Sequence, residues 1–235
     1  MREIGAVYSV GKSFRQERRA SERHLTEFTL IEAEAAGWTL EEMMGLMEHL
    51  VLEMMRCAAE SAGAHLQALG VEQPPLQGTF ARMTYDEAIV ALQRRGDFIE
   101  WGEDFTNAQE IILAEMAGGP LFVTNYPVEG RFFTMKVCRN DPRVVQNCDL
   151  LLPGVGEVMG ASETETDPDL LQVKMVSSRG VRNLVDRGGS AGGYDWYIEM
   201  HRQRSCQQAG FGMGFERLVR FVCGLSSVRD AVVAN

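Results

Sequence analysis

Residues 209–214 read Ala-Gly-Phe-Gly-Met-Gly, and Phe-Glu-Arg-Leu-Val follows at once. Glycine at every second position restricts the fold severely. Alternate side chains of a strand point to opposite faces. Gly210, Gly212 and Gly214 therefore leave one face of this strand bare. A planar base or a triphosphate can approach such a face closely. Close packing of a helix on the strand is the other use of a bare face. Glu216 and Arg217 open the next helix, where Arg217 can stack on a base or meet a phosphate.

A second constraint lies near the start of the chain. Residues 6–14 and 25–34 alternate in polarity and are rich in β-branched and aromatic residues, which predicts two strands. Arg15, Arg18, Arg19, Arg23 and His24 crowd their connection, with Glu17 and Glu27 among them. Arg15 and Glu17 are two apart and share a side of a strand, and Phe28 stands on the returning strand. This set offers a guanidinium for a phosphate, a carboxylate for a base's amino hydrogens and an aromatic face for stacking. A salt-bridged hairpin tip is the plainer reading. A third candidate is Cys-Asp-Leu-Leu-Leu-Pro-Gly-Val-Gly-Glu, whose Asp149 and Glu157 are oxygen donors on neighbouring strands. Such a pair suits Mg²⁺ shared with substrate phosphates.

The remaining pattern is mixed. Thr39 and Glu42 form a capping box ahead of a helix whose apolar spacing runs from Leu40 to Met55. Its methionines read as core filling. Thr84 and Glu87 open a second helix that Gly96 ends. A third spans 107–116. Residues 120–127 predict a buried strand, 131–138 and 143–152 a hairpin joined by Arg-Asn-Asp-Pro, and 157–162 a further strand. Residues 176–193, rich in glycine and serine, predict a mobile loop, and 194–204 a helix. The expected class is α+β, an antiparallel sheet with helices on one side, as a single domain over 1–235.

Composition narrows the class of function. With 33 acidic against 23 basic residues the net charge is −10, so the surface as a whole repels phosphate backbones and any nucleic-acid contact must be local. Five scattered cysteines form no Cys-x-x-Cys pair. Neither a zinc site nor a disulfide framework is indicated, and a reducing, cytoplasmic setting is expected. No run of 18 apolar residues predicts a membrane span.

In order, Phe-Arg-x-Glu with its basic loop, Arg-His-Leu-Thr-Glu-Phe, Arg-Met-Thr-Tyr-Asp-Glu-Ala-Ile, Trp-Gly-Glu-Asp-Phe, Val-Thr-Asn-Tyr-Pro, Pro-Gly-Val-Gly-Glu and Gly-Phe-Gly-Met-Gly-Phe-Glu-Arg-Leu-Val resemble the catalytic core of class II aminoacyl-tRNA synthetases. Within that class the aspartyl/asparaginyl group is most similar, and the spacing of Leu-Leu-Pro-Gly-Val-Gly-Glu is asparaginyl-like. The resemblance implies ATP-dependent activation of a carboxylate as an acyl-adenylate. It assigns Arg15 to the α-phosphate, Glu17 to the adenine amino group and Phe28 to adenine stacking. Arg23 and His24 are assigned to the outer phosphates, and Arg217 to the other adenine face and the γ-phosphate. Asp149 and Glu157 would hold Mg²⁺, Gly214 would belong to the ATP floor, and Glu27, Thr164, Gln208 and Gly210 are candidates for the substrate end.

The sequence departs from that pattern in three places. Motif one and the anticodon-binding domain are missing from these 235 residues, which implies a shortened paralogue or part of a longer chain and leaves a homodimer possible without assuring it. Thr164 stands where the family has an arginine for the substrate side chain, a loss on the order of 2–4 kcal/mol in a buried site. Gln207 and Gln208 replace the family's Pro-His. The expected function is therefore a free-standing enzyme that activates an amino acid or related acid and transfers it to ammonia or a small amine, with tRNA less favoured as acceptor. An asparaginyl-tRNA synthetase core is the alternative, and a non-catalytic nucleotide- or synthetase-binding protein a further one.

Overall fold

The structure, a computed structural model, describes residues 4–15, 22–71 and 78–232. Glu17, Arg18 and Arg19 lie outside them. Among the described residues seven strands form one sheet: β1 (Ala6–Phe14), β2 (Glu27–Ala36), β3 (Ala81–Thr84), β4 (Leu121–Thr124), β5 (Asn147–Leu152), β6 (Gly156–Glu163) and β7 (Gln208–Gly214). Their spatial order is β1-β2-β7-β6-β5-β4-β3. All neighbours are antiparallel except β3 and β4. The last strand in sequence is therefore inserted between strands from the start and the middle of the chain, and residues as far apart as Leu30 and Gly214 become cross-strand neighbours.

Helix α1 (Leu40–Ala68) starts at the Thr39/Glu42 capping box. Its stripe of Leu40, Met43, Met44, Met47, Val51 and Met55 is buried against Phe122, Leu150, Met159, Phe211 and Met213 of the sheet. Burial of each such side chain is worth roughly 1.5–3 kcal/mol, so the methionines fill core. Helix α2 (Tyr85–Arg95) carries the Thr84/Glu87 box and ends at Gly96 with φ 99°. Helix α3 (Asn107–Met116) follows a third box, Thr106/Gln109.

The sheet is covered on both faces at its β3–β5 end, not on one side as the sequence pattern implied. Phe122 points into the α1 layer, whereas Leu121, Val123 and Leu151 point into a second core with Tyr85, Ile89, Leu92 and Leu113 of α2 and α3. The cause is the apolar run of β4, which has no polar face to offer solvent. The expected hairpin is only partly formed. Residues 131–146 form no named strand, only single bridges of Met135 to Thr164, Val137 to Val145 and Val144 to Pro127, because their hydrogen bonds are divided: Cys138 N to Val144 O (3.0 Å) and Gln146 N to Lys136 O (2.7 Å) join the two arms, whereas Lys136 N goes to Glu163 O of β6 (2.9 Å).

The stretch 176–193 is not a loop throughout. After α4 (Pro168–Ser177), it holds α5 (Arg179–Asp186) and a 3₁₀ turn at Ala191–Tyr194, leading to α6 (Asp195–Gln203). Val181 is the reason: it is buried with Leu171, Met175, Ile198 and Phe133 in a satellite core, and that contact outweighs the glycine and serine content. Helix α7 (Phe215–Val222) leaves β7 directly. Among the described residues no helix is long and apolar enough to cross a membrane.

Candidate functional site

Register builds the site. Leu30, Glu32 and Glu34 of β2 stand opposite Gly214, Gly212 and Gly210 of β7. Gly212 and Gly210 in turn face Gly160 and Ser162 of β6. The alternate residues Ala209, Phe211 and Met213 go into the α1 core, so the glycine edge of β7 faces the open side. A Cβ added at Gly212 would meet nothing nearer than Leu30 Cδ1 at 3.8 Å, and one at Gly214 would touch Arg217 Cδ at 3.4 Å. Glu216 ties this edge together: its carboxylate accepts the Thr29 N–H (2.8 and 3.0 Å) just where β7 runs out beside β2.

Above this floor is a cleft of about 240 Å³ lined by Arg15, Arg23, His24, Phe28, Glu157, Gly160, Gly212, Gly214 and Arg217, among others. Arg15 follows β1, its N–H bound to Thr26 O (2.9 Å), and its guanidinium carbon is 5.8 Å from the centre of the Phe28 ring. Arg217 comes from the first turn of α7. Its Nη1 donates to the backbone oxygen (2.8 Å) and the carboxylate (3.0 Å) of Glu157. Two guanidiniums from opposite ends of the chain thus border one cavity.

A smaller chamber of about 200 Å³ adjoins it, sharing Arg23 and Glu157 and adding Asp104, Glu110, Tyr126, Arg131 and Asp149. Arg23 bridges Glu110 (3.1 Å) and Glu157 (3.2 Å). Arg131 lies 3.9 Å over the Tyr126 ring and pairs with Asp149 (3.5 Å) and Asp104 (3.4 Å). Burial pushes the Asp149 carboxyl up to about 7 against the pull of Arg131. Burial acts the same way on Glu157, but Arg217 and Arg23 outweigh it and hold that carboxyl below its usual range. Both carboxylates reach the space above Gly160, where a Cβ would stand 3.2 Å from Asp149 Oδ1 and 3.9 Å from Glu157 Oε1. Among the described residues no three His, Cys, Asp or Glu side chains gather as a metal cage. Two hard oxygen donors beside a cavity do match a Mg²⁺ that takes its other ligands from water and phosphate.

At the far end, Thr164 Oγ1 accepts from Gln208 Nε2 (3.3 Å) and the Thr164 N–H donates to Gln208 O (3.0 Å). Gly210 lies under the carboxylate of Glu34, so close that a Cβ would come within 2.2–2.4 Å of its atoms. Glu27 is not part of this group. It is one residue out of phase with Phe28 and Glu34, so it projects from the opposite face of β2, half exposed and 3.7 Å from Lys12.

The sequence reading missed Glu34, Glu110 and Arg131. Glu34 was accessible in principle, since Phe28 sets the parity of β2 and Glu34 shares it. Burial, and next the charge of Glu32, push its carboxyl up, and its Oε2 has no hydrogen-bond partner among the described residues.

The family model for tRNA synthetases class II (D, K and N) matches residues 1–233. The asparagine–tRNA ligase of Symbiobacterium thermophilum is 37% identical over 97% of this chain and 53% of its own length. That of Thermus thermophilus is 36% identical over 96% and 52%. Among solved structures, asparaginyl-tRNA synthetase from Pyrococcus horikoshii complexed with asparaginyl-adenylate superposes with a TM-score of 0.86 at 35% identity, covering 97% of this chain and 52% of that one. The Entamoeba histolytica asparaginyl-tRNA synthetase complex with asparaginyl-adenylate gives 0.86 at 27% identity, with 98% and 52% covered. The chain spans about half the length of the curated relatives it matches. With the fold, the glycine floor and these relatives in agreement, the chain belongs to the class II tRNA synthetases of the D, K and N group.

Proposed function

We propose that this chain carries an ATP-dependent amino-acid activation site of the asparaginyl-tRNA synthetase kind. The observation that supports it most is the cleft bordered by Arg15 and Arg217 over the bare edge of β7. The purine would lie between the Phe28 ring and the Arg217 guanidinium, which line the same cleft, and Glu17 is the partner proposed for its amino group. A carboxylate oxygen of the acid attacks the α-phosphorus, the bond from that phosphorus to the bridging oxygen breaks, and pyrophosphate leaves. Arg15 meets the charge that develops on the α-phosphate, and Arg23, His24 and Arg217 meet the outer phosphates. Fixed cations stabilise such a transition state without reorganising, and catalysis is mainly positioning. Asp149 and Glu157 would hold a Mg²⁺, which neutralises charge on the leaving group. The relatives favour tRNA as the acceptor of the acyl group over the ammonia or amine expected from sequence.

A second reading has one observation in its favour. The Thr164–Gln208 pair fills the place of the family's arginine with neutral groups, which favours an acid other than asparagine, transferred to a small amine. ATP–pyrophosphate exchange over a panel of amino acids tests both. Exchange with asparagine, followed by charging of tRNA, is expected. Exchange with another acid alone favours the second reading. ATP binding without exchange for any acid leaves only a nucleotide-binding protein.

A further inference from the structure

Glu110 is a carboxylate that no motif reading singled out. It sits in the first turn of α3, 7% exposed. One of its oxygens, Oε2, serves three donors: the Glu157 backbone N–H (3.0 Å), Arg23 Nη1 (3.1 Å) and Asn107 Nδ2 (3.4 Å). Asn107 also donates to Val155 O (2.8 Å). These two α3 side chains thus hold the backbone on both sides of Gly156. That glycine has φ +86°, and a Cβ on it would lie 2.4 Å from Asn107 Nδ2 and 2.5 Å from Glu110 Oε2. The turn into β6 is laid directly on the start of α3, with no space between.

We infer that Glu110 is a positioning residue, which aims the Glu157 carboxylate into the nucleotide cleft by fixing its backbone N–H. The inference rests on the ATP reading above. Glu157 is the point where Arg217, Arg23 and the proposed metal meet, and it follows a glycine in a left-handed conformation, where the chain is otherwise free to swing. Partners that orient a ligand side chain commonly govern metal affinity by 10–100-fold.

Two variants separate this role from a role in charge. Glu110→Gln removes the charge but keeps an acceptor oxygen at the same reach, able to take the Glu157 N–H. Glu110→Asp keeps the charge but withdraws it by about 1.5 Å, one carbon–carbon bond. ATP binding is measured by titration calorimetry with and without Mg²⁺, alongside melting midpoints. The expected result is that Glu110→Asp reduces the Mg²⁺-dependent gain in ATP affinity about tenfold or more, while Glu110→Gln keeps it within about threefold. The inference is overturned if Glu110→Asp keeps the wild-type gain, even with a lowered midpoint. It is equally overturned if Glu110→Gln loses as much as Glu110→Asp, since the charge pair with Arg23 then carries the effect. A wild-type chain that binds no ATP in either condition overturns the ATP reading itself.

Discussion

Arg217 holds Glu157 twice, through its backbone oxygen at 2.8 Å and its carboxylate at 3.0 Å. One guanidinium therefore sets the orientation of a proposed metal ligand while bordering the nucleotide cleft. Arg217→Ala is expected to lower ATP–pyrophosphate exchange by at least about 10²-fold, the scale of losing one fixed charge-stabilising donor. Arg217→Lys should recover little of it, because an ammonium has no planar face to lie against the proposed purine. Exchange rates and melting curves measured together decide, and near-wild-type exchange in either variant removes Arg217 from the reaction.

The glycines of β7 differ in what surrounds them. Gly212 faces open space up to Leu30 Cδ1. Gly212→Val should fold with a melting midpoint within a few degrees of wild type, yet weaken ATP binding about tenfold or more by placing a branched side chain where the purine is proposed to lie. Gly210→Ala meets the Glu34 carboxylate instead and should displace that side chain while sparing the nucleotide. Nucleotide titration on both variants checks the contrast. Equal effects on ATP would mean that the floor does not carry the base.

Asp149 gives a pH dependence with a definite sign. Its carboxyl sits near 7 in the folded chain, raised by burial from an ordinary value of 3.8. Between those values the folded state keeps a proton that the unfolded state has released. The stability contributed by this group is thus full in acid and is lost as pH rises through about 7. Asp149→Asn imitates the protonated form, so its melting midpoint relative to wild type should rise from pH 5 to pH 8. A relative midpoint that falls over this range would show that the ion pair with Arg131 outweighs burial.

Much of the site is local in origin and was readable before any fold. The alternation of Gly210, Gly212 and Gly214 declares its bare edge within six residues, and the boxes at Thr39 and Thr84 declare their helices within four. What was not readable depends on tertiary placement. Glu27 and Glu34 are equally plausible carboxylates until the parity of β2 assigns one to each face. Arg131 comes from a segment that forms no regular strand, and its place over Tyr126 has no signature in sequence. Glu110 looks like an ordinary residue of a helix start until the Gly156 turn is laid on it. Residues 176–193 were misjudged because composition says nothing about where Val181 goes.

Thr164 is the proposed site of control over the acid. It continues the open-face phase of Gly160 and Ser162 just past β6, with Gln208 as its neutral partner. On the same face lies Glu34, with a buried oxygen that has no hydrogen-bond partner among the described residues. Thr164→Arg adds a planar cation to the face that carries the Glu34 carboxyl, so the new charge has a counterpart on that face and the fold should tolerate it. The guanidinium also supplies the two-pronged donor that a side-chain amide or carboxylate can use. A charge-assisted hydrogen bond contributes about 1.5–3 kcal/mol, which is on the order of ten- to a hundredfold in kcat/KM by the usual conversion. Thr164→Arg should therefore raise ATP–pyrophosphate exchange with asparagine or aspartate about tenfold or more over the natural chain, while ATP affinity stays unchanged. Exchange that improves for neither acid, in a protein that melts normally and binds ATP as before, would mean that the acid does not reach Thr164, and that its selection is made elsewhere on the face between Glu34 and Ser162.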